Sequence, residues 1–206
     1  MKHILNIFLK KIGFALFLIS AISSCAIPVN LNYESSKMLE KGDFDVQGNG
    51  SLYISPDDQL DMEQVNFGLK CGMGITDKFN LKLRTEGLFS VNGDGFVFIE
   101  IDNKLKLSEM TALSLPLGVY TSFDGASLQF DPRFYFTPIQ TDKFDLTFIP
   151  KCHIYGFDLD EIYPGISIGA GFSSDFNKWV IRPEIGYDRL SLSAGISFTY
   201  RLKNEE

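Results

Sequence analysis

The sequence predicts an all-β protein: an up-and-down antiparallel transmembrane β-barrel of about ten strands, with eight as the alternative count. Apolar and polar residues alternate with a period of two in segment after segment between positions 43 and 202, and no long helical periodicity interrupts them. Each segment has about 10 to 12 residues, the length that a tilted strand needs to cross a bilayer. The chain also has 18 Gly, 19 Phe and 8 Tyr among its 206 residues, a composition that favours strands and turns over helices.

The first 24 residues have the features of an export signal. Lysines precede an apolar run, Ile12–Ile19, which is too short to span a bilayer stably, and small residues follow it. The tetrapeptide Ile22-Ser23-Ser24-Cys25 resembles a bacterial lipobox, which implies cleavage before Cys25 and lipidation of its thiol. The residue after Cys25 is Ala26 and not Asp, which in signals of this kind implies export to the outer membrane. An ordinary secretory signal with a coincidental cysteine is the alternative.

These features divide the chain into four parts. We predict a lipoprotein signal peptide at 1–24, a periplasmic tether at 25–42, an outer-membrane β-barrel at 43–202 and a C-terminal tail at 203–206. The tether prediction rests on the polar stretch from Asn30 to Gly42. An even number of strands would place both ends of the barrel on the periplasmic side, and the Cys25 lipid in the inner leaflet.

Ten strands are predicted in chain order. They cover about Phe44–Ile54, Val65–Ile75, Asn80–Phe89, Phe96–Leu107, Thr111–Thr121, Ser127–Phe136, Phe144–Tyr155, Tyr163–Ser173, Trp179–Asp188 and Leu190–Leu202. The connections alternate between short turns and longer, acidic loops. Short turns lie at Thr76–Phe79, Ser108–Met110 and Ser174–Asn177, and acidic loops at Pro56–Gln64, Ser90–Gly95 and Phe157–Ile162. This asymmetry between the two rims is typical of outer-membrane barrels.

The polar faces of the strands indicate which side of the barrel points inward. The eighth and tenth strands carry mostly Gly and Ser there, as suits the crowded interior of a narrow barrel. Other strands carry charges of both signs, which we predict form interior ion pairs while the apolar face meets lipid. These residues are Lys82, Arg84, Glu86, Glu100, Asp102, Lys104, Asp131, Arg133, Arg182 and Glu184. The alternative is a soluble barrel or sandwich on a lipid tether, with its apolar face inside.

The C-terminal strand contains a pattern that resembles the last-strand signal read by the barrel-assembly machinery of Gram-negative outer membranes. Ser193, Gly195, Phe198 and Tyr200 fill its four specified positions, although the chain continues for six residues past Tyr200. Together with the lipobox, this makes the chain similar to small lipid-anchored outer-membrane β-barrel proteins of Bacteroidota-type bacteria. The resemblance implies outer-membrane lipid, the assembly machinery and lipoprotein-processing enzymes as partners, and it carries no activity.

Few residues point to chemistry. His153 is predicted to face inward near Asp158 and Asp160, so these three are the candidates for the catalytic group of a surface protease or a lipid A deacylase. No phosphate-binding Gly loop, CxxC pair or His-rich metal pattern occurs in the sequence, so we predict no cofactor and no metal site. Cys71 and Cys152 are interpreted as small apolar residues, with a disulfide as the alternative.

The net charge and the number of strands limit the functions that the protein can have. A net charge of −7 argues against nucleic acid as a partner, because that affinity comes from neutralising phosphates. About ten strands with long interior side chains predict a filled lumen and not an open porin. We therefore expect a structural role or a surface partner bound through the acidic loops. The alternatives are a barrel enzyme that uses His153 and a lipid-tethered soluble barrel that binds a ligand.

Overall fold

The computed structural model describes residues 31–54, 62–91, 93, 95–122, 125–155, 162–188 and 191–204. They form ten antiparallel strands. These are β1 (Phe44–Ile54), β2 (Met62–Thr76), β3 (Phe79–Ser90), β4 (Gly95–Lys106), β5 (Thr111–Ser114 and Leu117–Ser122), β6 (Gly125–Phe130 and Arg133–Gln140), β7 (Phe144–Tyr155), β8 (Ile162–Phe172), β9 (Trp179–Asp188) and β10 (Leu192–Leu202). The predicted strand count of about ten is confirmed. Among the residues described, no helix has the length and apolar character needed to cross a membrane.

Each strand pairs with the next along the chain, and the first pairs with the last. The closing pair joins β1 to β10 with a continuous register from Phe44 opposite Leu202 to Ile54 opposite Leu192. The sheet is therefore a closed up-and-down barrel without a free edge. We name the end at Phe44 and Leu202 the short-turn rim, and the end at Ile54 and Leu192 the long-loop rim.

Two strands are interrupted by proline. Pro116 separates the two parts of β5, and Pro132 separates the two parts of β6. Proline has no backbone N–H to donate, so the hydrogen-bond ladder breaks at these points. The wall stays closed because neighbouring groups bridge the breaks: the amide of Asp131 donates to the carbonyl oxygen of Pro116 (3.3 Å), and the amide of Cys152 donates to that of Pro132 (3.1 Å).

The alternation of side chains puts the apolar face outside and the polar face inside. Phe67, Ile101 and Ile185 on the outer face are 61%, 54% and 58% exposed, whereas Asp102 and Arg133 on the inner face are fully buried. A soluble barrel has the opposite arrangement, so the alternative of an apolar interior is wrong. Cys71 is exposed on the outer face, Cys152 is half-buried there, and both are free thiols.

Candidate functional site in the barrel lumen

Residues 31–39, which we name the inner segment, run inside the barrel. Seven of the nine are buried: Leu31, Asn32, Tyr33, Glu34, Ser35, Ser36 and Leu39. The chain leaves the lumen at the short-turn rim, where Gly42 has a φ of +85° and its amide donates to the carbonyl oxygen of Gly74 (2.8 Å). A Cβ at Gly74 would lie 2.0 Å from the carbonyl oxygen of Glu40, so glycine is required there.

Residues 31–39 lie inside the lumen and not in the periplasm, so the prediction of a periplasmic tether at 25–42 is wrong for them. The stretch looked solvated in the sequence because it is polar, but a lumen lined with charged groups accommodates it. Positions 25–30, including Cys25, lie outside the described residues. At the other end of the chain, the amide of Asn204 donates to Asp43 (3.0 Å), which fixes the start of the C-terminal tail at the short-turn rim.

The carboxylate of Glu34 is the electrostatic centre of the inner segment. Its Oε1 lies 2.7 Å from the Nζ of Lys70 and 3.4 Å from that of Lys82, and its Oε2 lies 3.0 Å from the Nζ of Lys104. Burial alone would raise the pKa of the Glu34 carboxyl, but the three ammonium groups outweigh it and hold that pKa well below its ordinary value. Glu34 is therefore ionised at neutral pH.

A second carboxylate, on the barrel wall, binds the backbone of the inner segment. Glu184 on β9 accepts hydrogen bonds from the amides of Asn32 (3.0 Å) and Tyr33, and also from the hydroxyl of Ser167 (2.6 Å). Tyr33 has a φ of +56°, in the left-handed region. Two consecutive amides that point at one anion in this way form an anion-binding nest, so Glu184 stabilises a backbone conformation that a tyrosine rarely adopts.

The carbonyl groups of the inner segment are bonded to cations and amides of the wall. Arg84 donates to the carbonyl oxygen of Leu31 (2.7 Å), Lys70 to that of Asn32 (3.3 Å), and Gln47 to that of Tyr33 (3.0 Å). Lys104 donates to the carbonyl oxygens of residues 35 and 37. The wall therefore supplies the hydrogen bonds that a strand neighbour would otherwise provide.

All ten residues predicted to form interior ion pairs are buried inside the barrel: Lys82, Arg84, Glu86, Glu100, Asp102, Lys104, Asp131, Arg133, Arg182 and Glu184. Glu34 and Lys70 connect six of them into one network of ion pairs with N–O distances of at most 3.9 Å: Lys82, Glu100, Asp102, Lys104, Asp131 and Arg133. Within it, Arg133 pairs with Glu100 across the sheet, and Lys82 pairs with Asp45 as well as with Glu34. Arg84 pairs separately with Glu86 on its own strand, and Arg182 with Asp145.

Several interior charges lie outside the ten residues predicted to form ion pairs. Besides Glu34, they are Asp45, Lys70, Asp145, Lys151 and Asp188, all buried. Each of these wall residues lies at an inward position of the same alternation that identified the other ten. Glu34 has no such signal, because it lies outside any alternating segment.

His153 is fully buried on β7, with no exposed surface for a substrate. Its Nδ1 lies 2.9 Å from Asp131 and 3.1 Å from the amide nitrogen of Gln129, and its Nε2 lies 3.9 Å from Asp188. Asp158 and Asp160, the other catalytic candidates, lie outside the described residues. The structure therefore brings His153 together with Asp131, a partner the sequence had placed among the ion pairs.

Toward the long-loop rim the lumen changes from charged to aromatic. Leu88, Phe98 and Tyr120 form a buried apolar cluster, against which Phe96 and Tyr155 pack. The rings of Phe98 and Tyr120 are 4.6 Å apart between centroids. Large aromatic side chains are rigid and fill space efficiently. This cluster therefore fills the end of the lumen nearer the long-loop rim, while the inner segment lies nearer the short-turn rim.

The four residues of the predicted assembly signal divide between the two faces of β10. Ser193 is fully buried on the inner face, whereas Phe198 and Tyr200 are 50% and 48% exposed on the outer face. Gly195 lies under the inner segment: a Cβ there would be 2.1 Å from the hydroxyl of Tyr33 and 2.6 Å from the carbonyl oxygen of Gly50. Packing alone therefore requires glycine at this position.

Acidic and metal-binding groups give no further site within the described residues. No group of three or more His, Cys, Asp or Glu side chains there is arranged to hold a metal ion. Most of the predicted acidic loop Pro56–Gln64, and most of Phe157–Ile162, lies outside the part of the chain that the structure describes. The lumen, with the inner segment bound in it, is the candidate site.

Comparison with known proteins identifies the fold. No family model and no curated protein matches the chain. Among solved structures, the chain is similar to an outer membrane channel from Pseudomonas putida F1, with a TM-score of 0.50 and 7% identity over 84% of this chain and 100% of the channel. It is also similar to the N-terminal β-barrel domain of Pseudomonas aeruginosa OprF, with a TM-score of 0.40 and 10% identity over 80% of this chain and 100% of that domain.

A third similar structure is Ail, the attachment invasion locus protein of Yersinia pestis, with a TM-score of 0.33 and 13% identity over 79% of this chain and 99% of Ail. Identities this low bear on the fold alone. The closed sheet, the apolar outer face and the similarity to the Pseudomonas putida channel agree. The chain has the fold of an outer-membrane β-barrel protein.

Proposed function

We propose that this protein is a lipid-anchored outer-membrane β-barrel with a closed lumen, and that its role is structural or lies in binding a partner at the cell surface. The observation that carries the proposal is the occupied lumen. The inner segment fills the end of the lumen near the short-turn rim, and the cluster of Leu88, Phe98 and Tyr120 fills the end near the long-loop rim. A barrel filled by its own side chains does not conduct solutes as an open porin does.

Lipid anchoring at Cys25 is the second part of the proposal. It is supported by the lipobox-like tetrapeptide that ends at Cys25 and by the apolar run before it. Lipoprotein-processing enzymes and the barrel-assembly machinery are the partners that this route requires. A permanent lipid anchor strengthens the attachment to the membrane of a barrel that already spans the bilayer.

The surface role is the third part. The loops predicted at Pro56–Gln64, Ser90–Gly95 and Phe157–Ile162 join strands at the long-loop rim and are acidic. In an outer-membrane barrel the longer loops face the outside of the cell. We propose these loops as the surface that a partner with basic groups would bind.

Electrophoretic heat-modifiability tests membrane insertion and anchoring together. Outer-membrane fractions are prepared from cells that express the wild type or a Cys25→Ser variant carrying an exported signal that is not a lipoprotein signal. We expect both proteins to stay in the membrane and to shift in mobility only on boiling, with the mass of the lipid present on the wild type alone. Release of the Cys25→Ser variant as a soluble protein would contradict the spanning barrel. A mature wild-type N-terminal peptide with only the mass of its amino acids would contradict lipidation.

A further inference from the structure

Three lysines from neighbouring strands converge on one carboxylate that does not belong to the wall. Lys70 lies on β2, Lys82 on β3 and Lys104 on β4, and all three are buried. The two oxygens of Glu34 divide between them, with Oε1 facing Lys70 and Lys82 and Oε2 facing Lys104. The wall therefore has a site shaped for a carboxylate, and the inner segment supplies the carboxylate that occupies it.

The lysines depend on the inner segment to different degrees. The Nζ of Lys104 donates to Glu34, and also to the carbonyl oxygens of Ser35 and Lys37, so its three described acceptors all belong to this part of the chain. Both described hydrogen bonds of Lys70 also go to it, and its nearest wall carboxylate, Asp102, is 3.9 Å away. Only Lys82 has a close wall partner, Asp45, at 3.0 Å. Without Glu34, these three buried cations would face too few anions.

The barrel does not need the inner segment to close. Every strand is hydrogen-bonded to two neighbours, and β1 pairs with β10 along its whole length. Glu34 is bonded to the wall through side chains, and no ladder joins residues 31–39 to the sheet. Since the wall around it is polar, water can solvate that surface when the inner segment leaves, at a lower cost than for an apolar core.

We propose that Lys70, Lys82 and Lys104 form a binding site for a carboxylate-bearing solute, and that Glu34 is its built-in, exchangeable occupant. The inner segment then acts as a tethered plug. When it leaves, the lumen is open at the short-turn rim and presents a cationic site to small organic acids or to the acidic groups of larger solutes. Both sources share the carboxylate that the three ammonium groups recognise.

This site goes beyond the structural role proposed above and needs only that the resting lumen is closed. The ligand class follows from charge and shape, because a planar carboxylate has two oxygens that can divide among three donors as those of Glu34 do. A neutral molecule of the same shape gains no such attraction. The distinction between acetate and acetamide, which are nearly isosteric, therefore isolates the charge.

The test measures the binding of isotope-labelled acetate and acetamide, by equilibrium dialysis, to full-length wild type, Glu34→Ala and a control, Glu109→Ala, reconstituted in lipid vesicles at constant ionic strength. Glu109 has an exposed side chain and pairs only with Lys106 among the described ion pairs. We expect Glu34→Ala to bind acetate in a saturable manner and at least tenfold more tightly than the wild type or Glu109→Ala, because its three lysines no longer hold their built-in carboxylate. Acetamide should not bind to any of the three proteins.

Two outcomes would overturn the site. One is a Glu34→Ala protein that is heat-modifiable, hence folded, and binds acetate no more tightly than the wild type. The other is a Glu34→Ala protein that binds acetate and acetamide equally. If Glu34→Ala is not heat-modifiable, Glu34→Gln, which keeps the size of the side chain, is measured with the same two solutes and the same criteria. A wild type that conducts in planar lipid bilayers would instead contradict the closed lumen of the proposed function, so the two failures are distinguishable.

Discussion

Asp145 on β7 and Arg182 on β9 form a bidentate ion pair across the strand between them, β8. The Nη1 of Arg182 lies 2.5 Å from Oδ1 of Asp145, and its Nη2 lies 2.8 Å from Oδ2. The pair passes directly over Gly171, where a Cβ would lie 2.5 Å from Nη2 of Arg182 and 2.8 Å from both carboxylate oxygens. Glycine on the inner face of β8 therefore makes room for a pair formed by its two neighbours.

We predict that Gly171→Val destabilises the barrel by about 1–3 kcal/mol, because the new side chain overpacks the lumen and displaces a buried ion pair. Urea-induced unfolding in lipid vesicles measures the change. The control is Gly48→Val on the outer face of β1, where the nearest atom to a Cβ is 3.9 Å away. Equal effects at the two positions would contradict the packing argument for Gly171.

A charge on the outer face should be costly in the middle of the barrel and tolerated at its rim. Leu83 on β3 is 54% exposed, and Leu107, just after β4, is 57% exposed. We predict that Leu83→Arg costs about 2–4 kcal/mol and Leu107→Arg about 0–1 kcal/mol in a bilayer, because the cost depends on depth. Unfolding in vesicles measures both. If neither substitution has a measurable effect, the outer face does not contact hydrocarbon.

His153 should matter for stability and not for hydrolysis. We predict that His153→Ala lowers the unfolding free energy by about 1–3 kcal/mol, because it removes the hydrogen-bond partner of Oδ1 of the buried Asp131 carboxylate, whose Oδ2 keeps Gln129 and Arg133. Hydrolysis of surface lipid or peptide by the membrane fraction should be the same for wild type and variant. A loss of hydrolysis in a heat-modifiable His153→Ala protein would restore the barrel-enzyme alternative.

The closed state should withstand moderate acid. The pKa of Glu34 is lowered from its ordinary value of 4.5, so its ion pairs are fully formed above that pH and are lost only as the pH falls through the lower value of the folded protein. We predict that the amides of residues 31–39 in the wild type keep their protection from hydrogen exchange, relative to the intrinsic rate at each pH, from pH 7 to pH 4.5 and lose it only in stronger acid. Loss of protection above pH 4.5 would show that protonation of Glu34 is not what releases the inner segment.

The barrel could be predicted from the sequence because its strands follow a simple rule. Alternation fixes which side of each strand is apolar, and the strands from Phe44 to Leu202 are found close to their predicted bounds. The Gly and Ser residues on the polar faces also predicted a crowded interior, since Gly171 and Gly195 both lie where neighbouring side chains need room. These features are local, so one strand at a time suffices to find them.

The inner segment could not be predicted in this way. Its residues are mostly polar, have no period and precede the first strand, so a solvated tether was the simple interpretation. Its position depends on groups far along the chain: Glu34 contacts Lys104, and the amide of Asn32 contacts Glu184. Only the assembled lumen brings these groups together, and no pattern within residues 31–39 encodes it.

The most direct test of the position of residues 31–39 in the lumen is a cross-link between the inner segment and the wall. The amide of Ser36 lies 2.9 Å from the hydroxyl oxygen of Thr137 on β6, so cysteines at both positions should form a disulfide when the membrane fraction is oxidised. Cys25, Cys71 and Cys152 are replaced by Ser in a protein that carries an exported signal other than a lipoprotein signal, and mass spectrometry of the digested protein identifies the linked peptides. Each single-cysteine variant is the control.

We predict a disulfide between Ser36→Cys and Thr137→Cys in the heat-modifiable protein, and little reaction of Ser36→Cys alone with a membrane-impermeant maleimide. A folded barrel in which the two cysteines do not cross-link, and in which Ser36→Cys reacts with the maleimide as fast as an unfolded control, would place residues 31–39 outside the lumen and contradict the account.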